Sequence, residues 1–141
     1  MRYVLDSCVA IKWYLPEADS AKAIQLRTDF QAGVHELLAP DILLVECAHA
    51  LTRAERQGII AVGDAETHLI QFLSVGIPQH SYLPLLRKAV ATSSAARVGV
   101  YDCLYVALAE REKCELVTAD AKLIKTLGAQ FPIIKLLSSI P

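Results

Sequence analysis

Tyr101 to Ala109 is apolar except for Asp102. Such a run is too hydrophobic for a helix with one wet side, so a helix here must be covered over most of its surface. Charge returns only at Glu110-Arg111-Glu112-Lys113, and after Cys114 the chain switches to Glu115-Leu116-Val117-Thr118, a short run suited to a covered parallel strand. Asp102 therefore enters the helix at its buried end, and Asp120 falls just past the carboxyl edge of the strand. Ligands of open parallel sheets bind at that edge.

The rest of the chain supplies matching parts. Arg2 to Leu5 reads as a first strand, stopped by Asp6-Ser7, which can cap a helix over Cys8 to Leu15. Pro16 to Ser20 is a break, and Ala21 to Phe30 has helical spacing before Gly33. Leu37 to Ala39 fits a short strand. Pro40 and Asp41 open a helix over Ile42 to Gln57, whose inner side is Leu43, Leu44, Cys47, Ala48, Leu51 and Ala54. Further helices fit Ala65 to Leu73, Tyr82 to Ala96 and Ala121 to Leu127, with strands at Ile77 to His80 and Ile133 to Leu136. Strands separated by helices imply an α/β fold, a three-layer α/β/α sandwich around a central parallel sheet. With 141 residues and 54% hydrophobic content, the expectation is one domain, 1–141, with one sizeable core.

Charge and cysteine usage narrow the function classes. A net charge of −1 gives no global basic field for nucleic acid, so a polyanion must be met by a local patch or a metal. Cys8, Cys47, Cys103 and Cys114 form no C-x-x-C pair and read as reduced core side chains. His35, His49, His68 and His80 show no metal spacing and read as structural or surface residues. The start of the chain lacks a signal-peptide layout and no apolar run reaches transmembrane length, so a cytoplasmic protein with no membrane partner is expected.

Four acids stand apart. Asp6 and Asp120 end strands, Asp102 opens a helix, and Glu46 lies in the second turn of another, among Ile42, Leu43, His49 and Ala50. All four positions can face one sheet edge. Each has a plainer reading: Asp6 and Asp120 as helix caps, Asp102 as a complement to a helix dipole, Glu46 as the partner of a core arginine. Glu46 fits its plainer reading worst, because an unpaired carboxylate in apolar surroundings must be protonated, paired with a cation or bound to metal. If the four meet, like charges about 4 Å apart repel by roughly 4 kcal/mol per pair at an effective dielectric of about 20. Mg²⁺ or Mn²⁺ relieves that repulsion, acidifies a water and neutralises charge on a phosphate, the logic of metal-assisted phosphodiester hydrolysis. Ser7 and Thr118 are placed to hydrogen-bond such waters.

Asp6-Ser7, Leu15-Pro16-Glu17, Glu46 within Pro40 to Glu46, Tyr101-Asp102-Cys103-Leu104-Tyr105 and Val117-Thr118-Ala119-Asp120 together resemble a PIN domain, in order and over essentially the whole chain. More narrowly they resemble the VapC-type toxins of bacterial and archaeal toxin–antitoxin pairs. The resemblance implies a Mg²⁺- or Mn²⁺-dependent endoribonuclease, usually a homodimer, inhibited by a small antitoxin whose tail covers the acidic groove. It implies Asp6 and Asp102 as principal metal ligands, Glu46 and Asp120 as the acids completing the catalytic site, and Thr118 and Ser7 as its hydroxyl residues. Some members carry another acid just beyond the last aspartate; Ala121-Lys122 stands here, which leaves one or two metals open.

Other readings keep the site or drop it. A PIN-fold nuclease of RNA processing or of structured DNA needs no toxin role, and a catalytically silent interaction module would bind no Mn²⁺. A signalling receiver domain needs an acidic pair after the first strand and a phosphoacceptor aspartate on a middle strand; Asp6-Ser7 and the stretch from Leu37 to His80 supply neither. Lys12, Arg53, Arg56, Lys88 and Arg97 are candidate phosphate contacts, with solvated surface charge as the plainer reading of each.

Overall fold

A computed structural model describes all residues, 1–141. Five strands, β1 (Arg2–Leu5), β2 (Glu36–Pro40), β3 (Gln79–His80), β4 (Glu115–Thr118) and β5 (Ile134–Leu136), form one sheet in the order β3-β2-β1-β4-β5, with every pairing parallel. Seven α-helices flank it: α1 (Ser7–Ala10), α2 (Ser20–Gln31), α3 (Leu43–Arg56), α4 (Asp64–Val75), α5 (Leu86–Ala96), α6 (Val100–Glu112) and α7 (Ala121–Leu127). This is the expected three-layer α/β/α sandwich around a parallel sheet.

The sheet reverses its winding at β1, which has β2 on one side and β4 on the other. A parallel sheet opens a crevice at the carboxyl ends of the strands where the order reverses. Asp6 follows β1 directly and its amide donates to the Val117 carbonyl of β4 at 3.2 Å, so the crevice mouth is stitched at the position of the first acid.

The core explains why α6 is so apolar. Cys103 to Ala109 are all buried, packed with Tyr3, Val4 and Leu5 of β1, Leu37 to Ala39 of β2 and Leu116 and Val117 of β4 in one cluster of 32 residues. Burying a large aliphatic side chain contributes about 1.5–3 kcal/mol. A charged substitution within that run would therefore remove the packing that fixes where α6 begins. The buried run begins later than the sequence suggests, since Tyr101 is 58% exposed and Asp102, at the first turn, is only half-buried. Similarly, α3 buries Leu43, Cys47, Leu51 and Ala54, while Leu44 and Ala48 are only half-buried.

Three local expectations are corrected. The helix after Asp6 is a single α turn followed by a 3-10 turn at Ile11–Trp13, because Pro16 disfavours helical backbone at Leu15 and the chain tightens before it. Pro40 does not open α3 but ends β2. The amides of Ala39 and Asp41 donate to the Pro78 and His80 carbonyls, at 3.0 and 2.8 Å, so the missing amide of Pro40 falls where the β3 ladder needs no donor. The helix expected over Tyr82 to Ala96 splits into a 3-10 turn at Leu83–Leu85 and α5.

Candidate active site

Asp6 is the buried centre of the site, 4% exposed. Its extended backbone makes it the cap of α1, and the Cys8 amide donates to Oδ1 at 3.4 Å. The Thr118 hydroxyl, fully buried at the end of β4, donates to Oδ2 at 2.8 Å, and Ser7 Oγ donates to Oδ1 at 3.4 Å. The two hydroxyls expected to serve waters are thus turned onto Asp6 itself. Thr118 has no solvent-facing side, and its oxygen is also engaged by the Asp120 amide at 3.1 Å and lies 3.4 Å from Cys8 Sγ.

Asp120 follows β4 and caps α7, with Oδ1 accepting from the Lys122 amide at 2.9 Å and the Leu123 amide at 3.4 Å. Both the cap reading and the shared-edge reading of this residue are therefore met at once. Glu46 stands in the first turn of α3, and the Tyr105 hydroxyl of α6 donates to its Oε1 at 2.5 Å. No arginine pairs with it; a tyrosine does. Tyr105 was missed as a site residue, although its place one turn after Asp102 on the same helix is the sequence signal that carries it there. Asp102 forms no ion pair and sits half-buried at the start of α6.

The electrostatics tie the four acids together. Burial is the largest influence raising the pKa of Asp6, Glu46 and Asp102. Negative neighbours raise them further: Asp120 acts on Asp6, Asp6 acts on Glu46, and Asp6, Asp120 and Glu46 all act on Asp102. Asp102 is thereby pushed up to about 6. Hydrogen bonds from Thr118 and Cys8 to Asp6 and from Tyr105 to Glu46 oppose the rise. No lysine or arginine contributes to any of the three.

This set fits a hard dication by donor chemistry: carboxylate oxygens, mutually repelling, with no protein cation among them. As they stand, no three of the chain's His, Cys, Asp and Glu side chains converge closely enough to grip one ion. Coulomb repulsion between the carboxylates acts over several ångströms more than coordination does. Three of the four carboxylates are engaged by donors of their own, Asp6 by Thr118, Glu46 by Tyr105 and Asp120 by the α7 amides.

Of the proposed phosphate contacts, Lys12 is taken by Glu17 at 3.3 Å and the Ala18 carbonyl at 2.8 Å, and Lys88 by Glu110 at 2.7 Å. Arg53 and Arg56 are exposed in the last turn of α3, and Arg97 ends α5 in left-handed backbone at φ 56°. All four cysteines are free thiols. No helix is long and apolar enough to cross a membrane.

The PIN domain family model matches residues 3–128, which contain all four acids, Ser7, Tyr105 and Thr118. The chain is 30% identical to Ribonuclease VapC3 of Pyrobaculum aerophilum over 92% of its own length and 97% of that protein's. It is also 30% identical to Ribonuclease VapC9 of Mycobacterium tuberculosis, covering 81% of this chain and 91% of that one. In fold it is similar to the crystal structure of PAE2754 from Pyrobaculum aerophilum, with a TM-score of 0.69 at 22% identity over 99% of this chain and 94% of that one. It is likewise similar to VapBC2 from Rickettsia felis bound to a DNA fragment from their promoter, with a TM-score of 0.63 at 17% identity, covering 96% and 97% of the two chains. A parallel sheet that delivers Asp6, Glu46, Asp102 and Asp120 to its winding reversal, in a chain matched by the family model from β1 to the end of α7, places this protein in the PIN-domain family.

Proposed function

We propose that this protein is a Mg²⁺- or Mn²⁺-dependent endoribonuclease and the toxin of a toxin–antitoxin pair. The observation that carries the reading is the gathering of Asp6, Glu46, Asp102 and Asp120 around the reversal of the sheet, where burial first and negative neighbours second raise Asp6, Glu46 and Asp102, with no cation to relieve them. Names carried by the relatives support RNA as the substrate.

Asp6, Glu46, Asp102 and Asp120 would hold the ion. When bound, a hard dication acidifies a water and neutralises charge growing on the phosphate. The protein's own share is positioning. Thr118 fixes the Asp6 carboxylate through Oδ2 with a buried hydroxyl, and Asp120 is anchored by the first amides of α7, so two of the four acids are held in place by hydrogen bonds rather than left as loose rotamers. Tyr105 does the same for Glu46 from across the α3–α6 boundary. Preorganised donors lose less freedom on binding, which is how a rigid scaffold gains affinity without further contacts.

A small antitoxin and a second copy of the chain are the partners we assign. The Rickettsia felis structure is a VapBC2 assembly, and here Ile59, Val62, Ile70 and Leu73 leave apolar side chains exposed along the α3–α4 arm, the kind of surface that protein partners cover. Purified protein should cut RNA with Mg²⁺ or Mn²⁺ and stop with EDTA. Asp6→Asn and Asp102→Asn should stay folded and lose at least about 100-fold in rate, as loss of a central electrostatic group does. Cleavage unaffected by EDTA, or full activity in both variants, contradicts the reading. Induced expression should halt growth if the toxin role is right, and leave it unchanged if the nuclease serves RNA processing or DNA cleavage.

A further inference from the structure

Beside the acids runs an open groove of about 640 Å³ that shares Ser7 and Glu46 with them. Its other walls include Tyr82, Tyr101, His49 and Asp41. We propose that this groove is a stacking subsite for one unpaired nucleobase of the RNA, next to the cut, with Tyr101 and Tyr82 as its specificity-determining residues; the proposal rests on the ribonuclease reading.

The tyrosines themselves make the case. Of the five in the chain, Tyr3 packs edge-on against His35, Tyr14 stacks on His68, and Tyr105 is bonded to Glu46. Tyr82 and Tyr101 are the two without such a role, 41% and 58% exposed, and both line this groove. Tyr101 precedes Asp102 in the first turn of α6 and lines the groove together with Glu46, which places its ring beside the acid site. Tyr82 is fixed from the other side, its amide donating to Asp41 Oδ1 at 2.9 Å.

The charge pattern selects the part of the nucleotide. No lysine or arginine lines the groove, whereas Asp41 and Glu46 do, so a phosphate is repelled and an uncharged base is accepted. Carboxylate oxygens on one wall and aromatic rings on another match a base, which offers N–H groups at its edge and a flat π face. Ile42 and Val45 complete the groove with apolar surface on which the flat face of a base also packs.

The test begins by mapping the cut that the wild-type chain makes, with Mn²⁺, in a mixed pool of single-stranded RNA. The cut sequence is then remade with an abasic nucleotide at each position around the scissile bond. Wild type should lose roughly 5- to 150-fold in kcat/KM at one such position, the worth of one stacked base, with most of the loss in KM. Tyr101→Leu and Tyr82→Leu should show that loss on intact RNA and little more on the abasic substrate, while Tyr101→Phe and Tyr82→Phe restore wild-type KM. Leucine variants that keep wild-type KM, or that still pay the full abasic penalty, overturn the subsite; cleavage by wild type and its absence in Asp102→Asn then leave the ribonuclease reading standing. Failure of wild type to cut any RNA sinks both. A wild-type dimer that Tyr101→Leu dissociates in light scattering gives the groove to a second copy and also overturns the proposal.

Discussion

Thr118 donates its hydroxyl to Asp6 Oδ2 at 2.8 Å and accepts the Asp120 amide at 3.1 Å, so one buried oxygen links the ends of β1 and β4. Removing it should orphan both partners. Thr118→Val, nearly isosteric, should cost about 2–4 kcal/mol in denaturant unfolding, since a bond to a carboxylate and a buried amide are both lost. Thr118→Ser keeps the oxygen and should cost only about 1 kcal/mol. Equal losses for the two substitutions would show that the methyl, not the hydroxyl, matters.

Asp120 has two separable jobs, because its Oδ1 caps α7 while its charge raises Asp6 and Asp102. Asp120→Ala should destabilise by about 1 kcal/mol, the usual worth of an N-cap. Asp120→Asn keeps a capping oxygen and should preserve stability while weakening Mn²⁺ binding. Thermal melts with and without Mn²⁺ check both; an asparagine variant with the full wild-type metal response would leave Asp120 as a cap alone.

The raised Asp102 has a stability consequence whose sign is fixed by proton counting. Its carboxyl moves from 3.8 unfolded to about 6 folded, so within that window the folded chain holds more protons than the unfolded one. Without metal, stability is therefore greatest below the window and falls as pH rises through it, by on the order of 1–3 kcal/mol after allowance for partial solvent screening. Above it, Mg²⁺ or Mn²⁺ should recover stability in proportion to binding. Asp102→Asn should flatten the metal-free decline and raise the melting temperature at neutral pH. A metal-free melting temperature that climbs steadily across the same window contradicts the assignment.

Tyr105 lowers the pKa of Glu46 against the rise that burial imposes. Tyr105→Phe should therefore drive Glu46 higher, shift the acid limb of the cleavage profile to higher pH and cost about 1–3 kcal/mol of stability. An acid limb that stays in place would mean that Glu46 does not titrate in the step being measured.

What the sequence shows and what it hides divides by range. Asp6 and Asp120 were legible because a cap after a short apolar strand is a local signal, and α6 and β4 because Tyr101 to Thr118 changes period within one stretch. Pro40 misled because its role depends on the register of β3, nearly forty positions away, and proline before a helix is a common local pattern. Glu46 was recognisable as needing a partner, but Tyr105 lies 59 positions on, and nothing in either neighbourhood names the other. The bonds of the two hydroxyls to Asp6 differ in range: Ser7 turns onto its own neighbour, whereas Thr118 reaches Asp6 only because β1 pairs with β4 and brings it to a carboxylate 112 positions distant.

Calorimetric titration of Mn²⁺ into the metal-free protein near pH 7.5 bears most directly on the claim that these acids act together on one ion. Wild type should bind with measurable heat, and Asp6→Asn and Asp102→Asn should each weaken binding at least about tenfold, the equivalent of about 1.4 kcal/mol. Absence of binding by the wild type, or undiminished affinity in both variants, would contradict it.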